Sequence, residues 1–185
     1  MSRARPSLVS PRLELRLPEP GDVPALIRYH EENAGHLAPW TPLRPINFNT
    51  EAFWYGQLLE IGREFEYDLG VRFTLFSIEE PGRVVGNIGL TAIVRGIAQF
   101  CYVGYALAAS EEGKGLMSEG LTASLDYTWD ELKLHRVMAN YMPRNERSAR
   151  LLERQGFRVE GLAREYLCIA GRWEDHVLTA KVNPR

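Results

Sequence analysis

Two cysteines, Cys101 and Cys168, are all that this chain of 185 residues contains. They cannot frame a disulfide scaffold or a four-ligand metal site, and they suit a reducing compartment. The four histidines, His30, His36, His135 and His176, show no metal-ligand spacing. No apolar run approaches the roughly 20 residues that a membrane-spanning helix needs. The opening Met1-Ser2-Arg3-Ala4-Arg5-Pro6 leads into no apolar stretch, so no signal peptide is expected. An excess of one charge is missing too. Lys plus Arg is 22 and Asp plus Glu is 24, a formal net charge of −2, which gives no general drive toward nucleic acid or an anionic membrane. These absences point to a soluble, cytoplasmic protein without a metal. The composition, 45% hydrophobic and 25% charged, is that of a globular chain, and the length fits one domain.

Residues 1–11 are polar, carry Pro6 and Pro11, and read as a flexible N-terminal arm ahead of a single domain over 12–185. Leu13, Leu15 and Leu17 alternate with polar residues as in a half-buried strand. Asp22 is placed to cap a helix with Pro24 in its first turn, and Thr50 to cap a second one carrying Trp54, Leu58, Ile61 and Phe65. Strands are expected over 71–77, 84–94 and 99–108, joined by short turns as an antiparallel meander. A long helix follows from Gly115, then a strand over 136–142, a short helix over 145–155 stopped by Gly156, and a closing hairpin around Ala170-Gly171. This order defines an α+β fold with a mixed sheet of about seven strands flanked by four helices.

The most informative stretch is Tyr105-Ala106-Leu107-Ala108-Ala109-Ser110-Glu111-Glu112-Gly113-Lys114-Gly115-Leu116-Met117. A strand ends, a loop carries two glycines one residue apart, and a helix begins. Glycine lets backbone N–H groups approach a ligand closely, and the first helical turn adds unpaired N–H groups and a partial positive charge. Together they suit a pyrophosphate, with Lys114 as an added charge contact. A plain tight turn opening a helix has the same signature. The loop is not a Walker A motif, and it lacks the third glycine of a dinucleotide fingerprint. In the second constellation, Asn140-Tyr141-Met142-Pro143-Arg144-Asn145-Glu146-Arg147-Ser148, Asn145 caps a helix and Ser148 lies in its first turn.

A strand, Gly-x-Gly, a long helix, a strand, Asn-x-x-Ser, a short helix and Gly156-Phe157 together resemble the GNAT acyltransferase family over residues 12–182. His36-Leu37-Ala38-Pro39-Trp40, the run from His135 to Asn145 and the run from Gly171 to Ala180 resemble its branch that acetylates the N-terminal alanine of ribosomal proteins, protein five of the small subunit in particular. The resemblance implies a mostly antiparallel GNAT sheet and acetyl-CoA as donor. It also implies a protein N-terminus, that of a ribosomal protein, as acceptor. By the same resemblance the backbone of Tyr105, Ala106 and Leu107 pairs with the pantetheine arm, and an N–H near Leu107 holds the developing oxyanion. Glu112, Gly113, Lys114, Gly115, Leu116 and Met117 cradle the pyrophosphate, and Asn140 and Asn145 approach the arm from the far side. Trp40 walls the acceptor site.

Three positions depart from the family pattern. Ser110 replaces a usual Gln or Arg, Leu152 replaces a Tyr that protonates the departing thiolate, and Asn140 replaces a Glu base. The missing base matters, because only a neutral amine attacks. Roughly a tenth of an α-amine is neutral at pH 7, against about one in two thousand of a lysine amine, a gap of roughly 3 kcal/mol. An N-terminal acceptor is therefore favoured over lysine or a polyamine. Ser148 and Tyr141 are candidates for the proton donor, with Tyr166 as a further one. Glu165, Asp175 and His176 are candidates for the proton acceptor. Two other readings stay open: an acetyltransferase of polyamines, antibiotics or other small amines, and a non-catalytic CoA-binding module in ribosome assembly.

Overall fold

Leu13 and Leu15 are fully buried while Glu14 and Arg16 are not, and this alternation makes Leu13–Arg16 a strand of the sheet. The computed structural model describes residues 4–184; Met1–Arg3 and Arg185 lie outside the described residues. In chain order the strands are β1 (Ser7–Val9), β2 (Leu13–Arg16), β3 (Gly70–Ser77), β4 (Val84–Val94), β5 (Phe100–Leu107), β6 (Arg136–Tyr141), β7 (Arg158–Ile169) and β8 (Arg172–Val182). The helices are α1 (Val23–Glu32), α2 (Ala34–Leu37), α3 (Glu51–Glu66), α4 (Leu116–Asp130) and α5 (Glu146–Arg154).

The eight strands form one sheet in the order β1-β2-β3-β4-β5-β6-β8-β7. Every pairing is antiparallel except β5 with β6. The α+β class and the central meander agree with expectation. Two elements were not foreseen. The expected loose arm covers Met1–Arg3, on which nothing is described, and Ser7–Val9, which pair with β2 as an edge strand. Pro6 and Pro11 bracket this three-residue strand without interrupting it, as proline can at a sheet edge. The four-residue α2 has too few residues to display a helical period.

Local chemistry accounts for most boundaries. The Phe53 N–H donates to Thr50 Oγ1 at 3.2 Å, the expected cap of α3. Asp22 does not cap α1 with its side chain. Its carboxylate instead receives Arg16 in a two-pronged pair, at 2.6 and 2.9 Å, and the Glu19 N–H at 2.7 Å. Ala170 and Gly171 both have positive φ, 48° and 80°, the geometry of a two-residue hairpin turn between β7 and β8.

The main core lies where α4, α5 and the end of α3 cover the sheet, with Leu13, Leu75, Ile88, Leu121 and Leu152 at or near complete burial. Gly120 lets α4 settle onto the strands. A Cβ there would meet Ile88 and Leu75 side chains at 3.2 Å. A second apolar cluster joins α1, α2 and the start of α3 to Phe76, Val84 and Ala108.

The β5–β6 pairing positions the functional site. It covers only three rungs, Phe100 with Arg136, Cys101 with Val137 and Tyr102 with Met138. Beyond them the strands part, although β5 continues to Leu107 and β6 to Tyr141. The sheet is split there, and α4 begins just past the end of β5.

Candidate acyl-CoA site

In a strand, successive N–H groups face opposite neighbours. The Ala108 N–H donates to Val85 O on β4 at 2.8 Å. Alternation then turns the amides of Leu107 and Tyr105 to the other side, where β6 has diverged. On the β6 side the main chain from Val103 to Leu107 thus lacks a strand partner, and an extended amide-bearing ligand can take the vacant place in the ladder.

At the end of this strip Gly113 and Gly115 have φ of +76° and +81°. Any side chain other than glycine is strained in that conformation. Gly115 is the N-cap of α4, and no side chain accepts from the first turn. The N–H groups there are left for a ligand, and the helix dipole favours an anion.

Surrounding charges brace the loop. Arg12 is bound to Glu119 at 2.7 and 2.8 Å and donates to Lys114 O at 2.9 Å. Ser10 also donates to Glu119, at 2.7 Å. Buried Glu111 receives Arg83 at 2.8 Å and Lys114 Nζ at 3.0 Å. Burial alone would raise the Glu111 carboxyl; Lys114 and Arg83 outweigh it and hold it below the usual carboxylate range. The Lys114 ammonium is therefore directed to Glu111 and not to the cavity, a correction to its expected role. Ser110 joins the same network, 3.3 Å from both Glu111 and Arg83.

A cavity of about 560 Å³ opens along the split, a size ordinary for small-molecule sites. Tyr105, Ala106, Leu107, Glu112, Gly113, Gly115, Leu116, Met117, Asn145, Ser148 and Trp40 all line it. Lys114, Asn140, Tyr141, Glu165 and Asp175 do not. Asn140 and Tyr141 stand in the β6 ladder opposite Leu178 and Val177. The Asp175 carboxylate accepts the Glu165 N–H at 2.8 Å, and Glu165 has φ 45° in a bulge of β7. The Asp175 carboxylate thus serves the hairpin and Glu165 is exposed, so neither acid faces the cavity. His176 is buried with Nδ1 2.9 Å from Glu174 O, and its ring lies 5.8 Å from that of Tyr166. Leu152 is buried in the main core.

Ser148 has a more specific setting than a capping role. The cap is made by Asn145, whose Oδ1 accepts the Ser148 N–H at 3.1 Å. The Ser148 hydroxyl is bonded instead to the Tyr105 hydroxyl at 2.7 Å. Burial pushes the Tyr105 phenol up to about 12, so this pair carries its protons throughout the neutral range.

Sequence reasoning missed the arginines. Arg147, Arg150 and Arg154 line the cavity from α5, spaced three and four residues apart on one helical face, and this stripe was readable. Arg147 pairs with Glu112, and Glu112 also faces His36 Nε2 at 3.6 Å. The Arg12 and Arg83 braces join residues 102 and 28 positions apart, which no local pattern reveals. Among the described residues no group of three His, Cys, Asp or Glu side chains is placed to hold a metal ion, and no helix is long and apolar enough to cross a membrane.

A split parallel pair leads to a glycine-braced helix N-terminus, the candidate site of an acetyl-CoA-dependent acyltransferase, and the chain belongs to the GNAT acetyltransferase family: the acetyltransferase (GNAT) domain model matches residues 12–158. Among known proteins it is 40% identical over 177 residues to the [ribosomal protein uS5]-alanine N-acetyltransferase of Escherichia coli, covering 96% of this chain and 91% of that one. The solved ribosomal-protein-S5-alanine acetyltransferase of Vibrio fischeri superposes with a TM-score of 0.91 at 35% identity, over 97% of each chain. Mycobacterium smegmatis RimJ, solved in complex with CoA-disulfide, gives a TM-score of 0.87 at 26% identity, covering 98% of this chain and 89% of that one.

Proposed function

We propose that the chain transfers the acetyl group of acetyl-CoA to the N-terminal α-amine of a protein, an alanine at the start of a ribosomal protein, in the cytoplasm. The observation that carries this reading is the unpaired β5 edge running into the Gly113–Gly115 loop. The donor set fits the co-substrate: strand-like amides for the pantetheine arm, helix-end N–H groups for the pyrophosphate, and the arginine stripe of α5 for further phosphate. The thioester supplies an activated acyl carbon and a thiolate leaving group.

The chain's own residues do the rest. The Leu107 N–H is placed to take the developing oxyanion. As the C–N bond forms and the C–S bond breaks, Ser148 gives its proton to the sulfur and is resupplied by Tyr105, which recovers its own proton from water. The amine proton leaves to water, since no unpaired carboxylate among the described residues lines the cavity: Glu112 is engaged by Arg147 and faces His36. A site with so little basic machinery suits an amine that is already partly neutral near pH 7. The acceptor named for the E. coli relative supports the same choice.

The test is a peptide panel incubated with acetyl-CoA and read by mass spectrometry. A peptide with a free N-terminal Ala is expected to gain one acetyl group on its α-amine. The same peptide with a blocked N-terminus and an internal Lys, and free spermidine, are expected to turn over at least about a hundredfold more slowly, in line with the difference in neutral amine. Acetylation of the blocked peptide or of spermidine at an equal rate overturns the acceptor assignment.

A further inference from the structure

At Tyr105 and Ala106 the cavity meets a second hollow of about 360 Å³ on the β4 side, and the two share Leu37 and Thr41 as well. This hollow has apolar walls, including Pro42, Leu43 and Phe48, and among the described residues no carboxylate lines it. Its charge comes from Arg44. Burial first, and the Arg44 charge second, press the His30 imidazole down to about 3, so His30 is neutral.

Arg44 is held in a defined pose. Its Nη1 donates to His30 O at 3.2 Å, its Nη2 faces His30 Nδ1 at 3.4 Å, and its guanidinium lies 4.4 Å over the Phe48 ring. It has no ion-pair partner among the described residues. Two other polar groups nearby have no partner among the described residues. The Asn87 amide lines the hollow without a hydrogen bond to any described residue. The Tyr29 hydroxyl, on the ring that abuts His30 at 4.8 Å, is buried without a partner. A cation partly withdrawn from water without a counter-charge is costly, and an occupant that brings carbonyl or carboxylate oxygens removes that cost.

We propose that this hollow seats the residues following the acceptor's α-amine, and that Arg44 there selects acceptors whose leading segment is acidic or neutral over lysine-rich peptides and polyamines. The inference rests on the reading of the chain as an N-terminal acetyltransferase and deepens it. The position of the hollow fits: it opens from the point on β5 where the thioester would lie, on the side away from the split. Acetyl donor and peptide would then approach Tyr105–Ala106 from opposite directions. A second cation beside Arg44 would meet repulsion in a half-dry pocket, where charge is screened far less than in bulk water.

The experiment compares three peptides that begin with Ala and differ only at their second and third residues: Glu-Glu, Gly-Gly or Lys-Lys. The expected kcat/KM of the acidic peptide exceeds that of the basic one by about tenfold or more at low salt, and the ratio narrows as salt rises. Arg44→Gln brings the ratio close to one, and Arg44→Glu inverts it. Each variant is judged by its own ratio, so a change in absolute activity does not blur the outcome, and the parent's ratio and salt series stand even if a variant fails to fold. Equal use of the acidic and basic peptides by the parent, or a preference that persists in Arg44→Gln, overturns the inference alone. No turnover of any of the three peptides, with acetyl-CoA bound, overturns the N-terminal reading and this inference with it.

Discussion

Gly113→Asp is expected to raise the dissociation constant for acetyl-CoA by about a hundredfold or more. Two effects add. Gly113 has φ +76°; a non-glycine residue relaxes out of that conformation in the free chain, and restoring it on binding costs roughly 1–2 kcal/mol. The new carboxylate would also face the pyrophosphate across a few ångströms, a repulsion of order 1–4 kcal/mol between the aqueous and the partly screened limits. A total near 3 kcal/mol is about two decades in affinity. Steric disruption of the fold contributes little, because nothing lies within 4 Å of a Cβ at this position. Gly113→Ala separates the two terms. It carries only the conformational cost and should weaken binding by about tenfold. Isothermal titration of both variants checks this, and parental affinity in Gly113→Asp would remove the loop from the binding site.

Ser148→Ala should lower kcat by about a hundredfold, the low end of what a positioned proton donor contributes, with the acetyl-CoA affinity within about threefold of the parent. The helix cap survives the change, because Asn145 bonds the backbone N–H of residue 148 and not its hydroxyl. What is lost is the hydroxyl paired with Tyr105. Tyr105→Phe removes the resupply but leaves Ser148 in place, so its kcat should fall less, by about tenfold. Since burial holds the Tyr105 phenol near 12, its protonation should not limit turnover anywhere below pH 10. Rapid-quench kinetics at saturating acetyl-CoA would read both variants. A Ser148→Ala rate equal to the parent's would take Ser148 out of the proton path.

The two site constellations were legible for a physical reason. Positive-φ glycines and a helix N-cap are local requirements, so Gly113, Gly115 and Asn145 announce themselves over a few residues. The alternation of β2–β5 and the period of α4 are equally local. What the sequence hid depends on distance in the chain. The gap between β5 and β6 arises because pairing stops after Tyr102 and Met138, and no residue type marks that point. Arg12 reaches Lys114 across 102 positions, and Tyr105 reaches Ser148 across 43. Glu165 and Asp175 stand away from the cavity because a bulge between Ala163 and Leu167 turns the Glu165 N–H to the Asp175 carboxylate, a feature no local pattern shows. Arg44 lies in a proline-rich loop, and its isolation from every carboxylate among the described residues is visible only in three dimensions.

The central claim is that the split in the sheet and the helix end beyond it grip one extended thioester. A crystal structure of the chain grown with acetyl-CoA tests it most directly. The account predicts pyrophosphate oxygens about 3 Å from the main-chain nitrogens of residues 113–117, with the pantetheine lying along Val103–Leu107 in the place of the missing strand. Nucleotide bound elsewhere on the molecule, or none at saturating ligand, would contradict it.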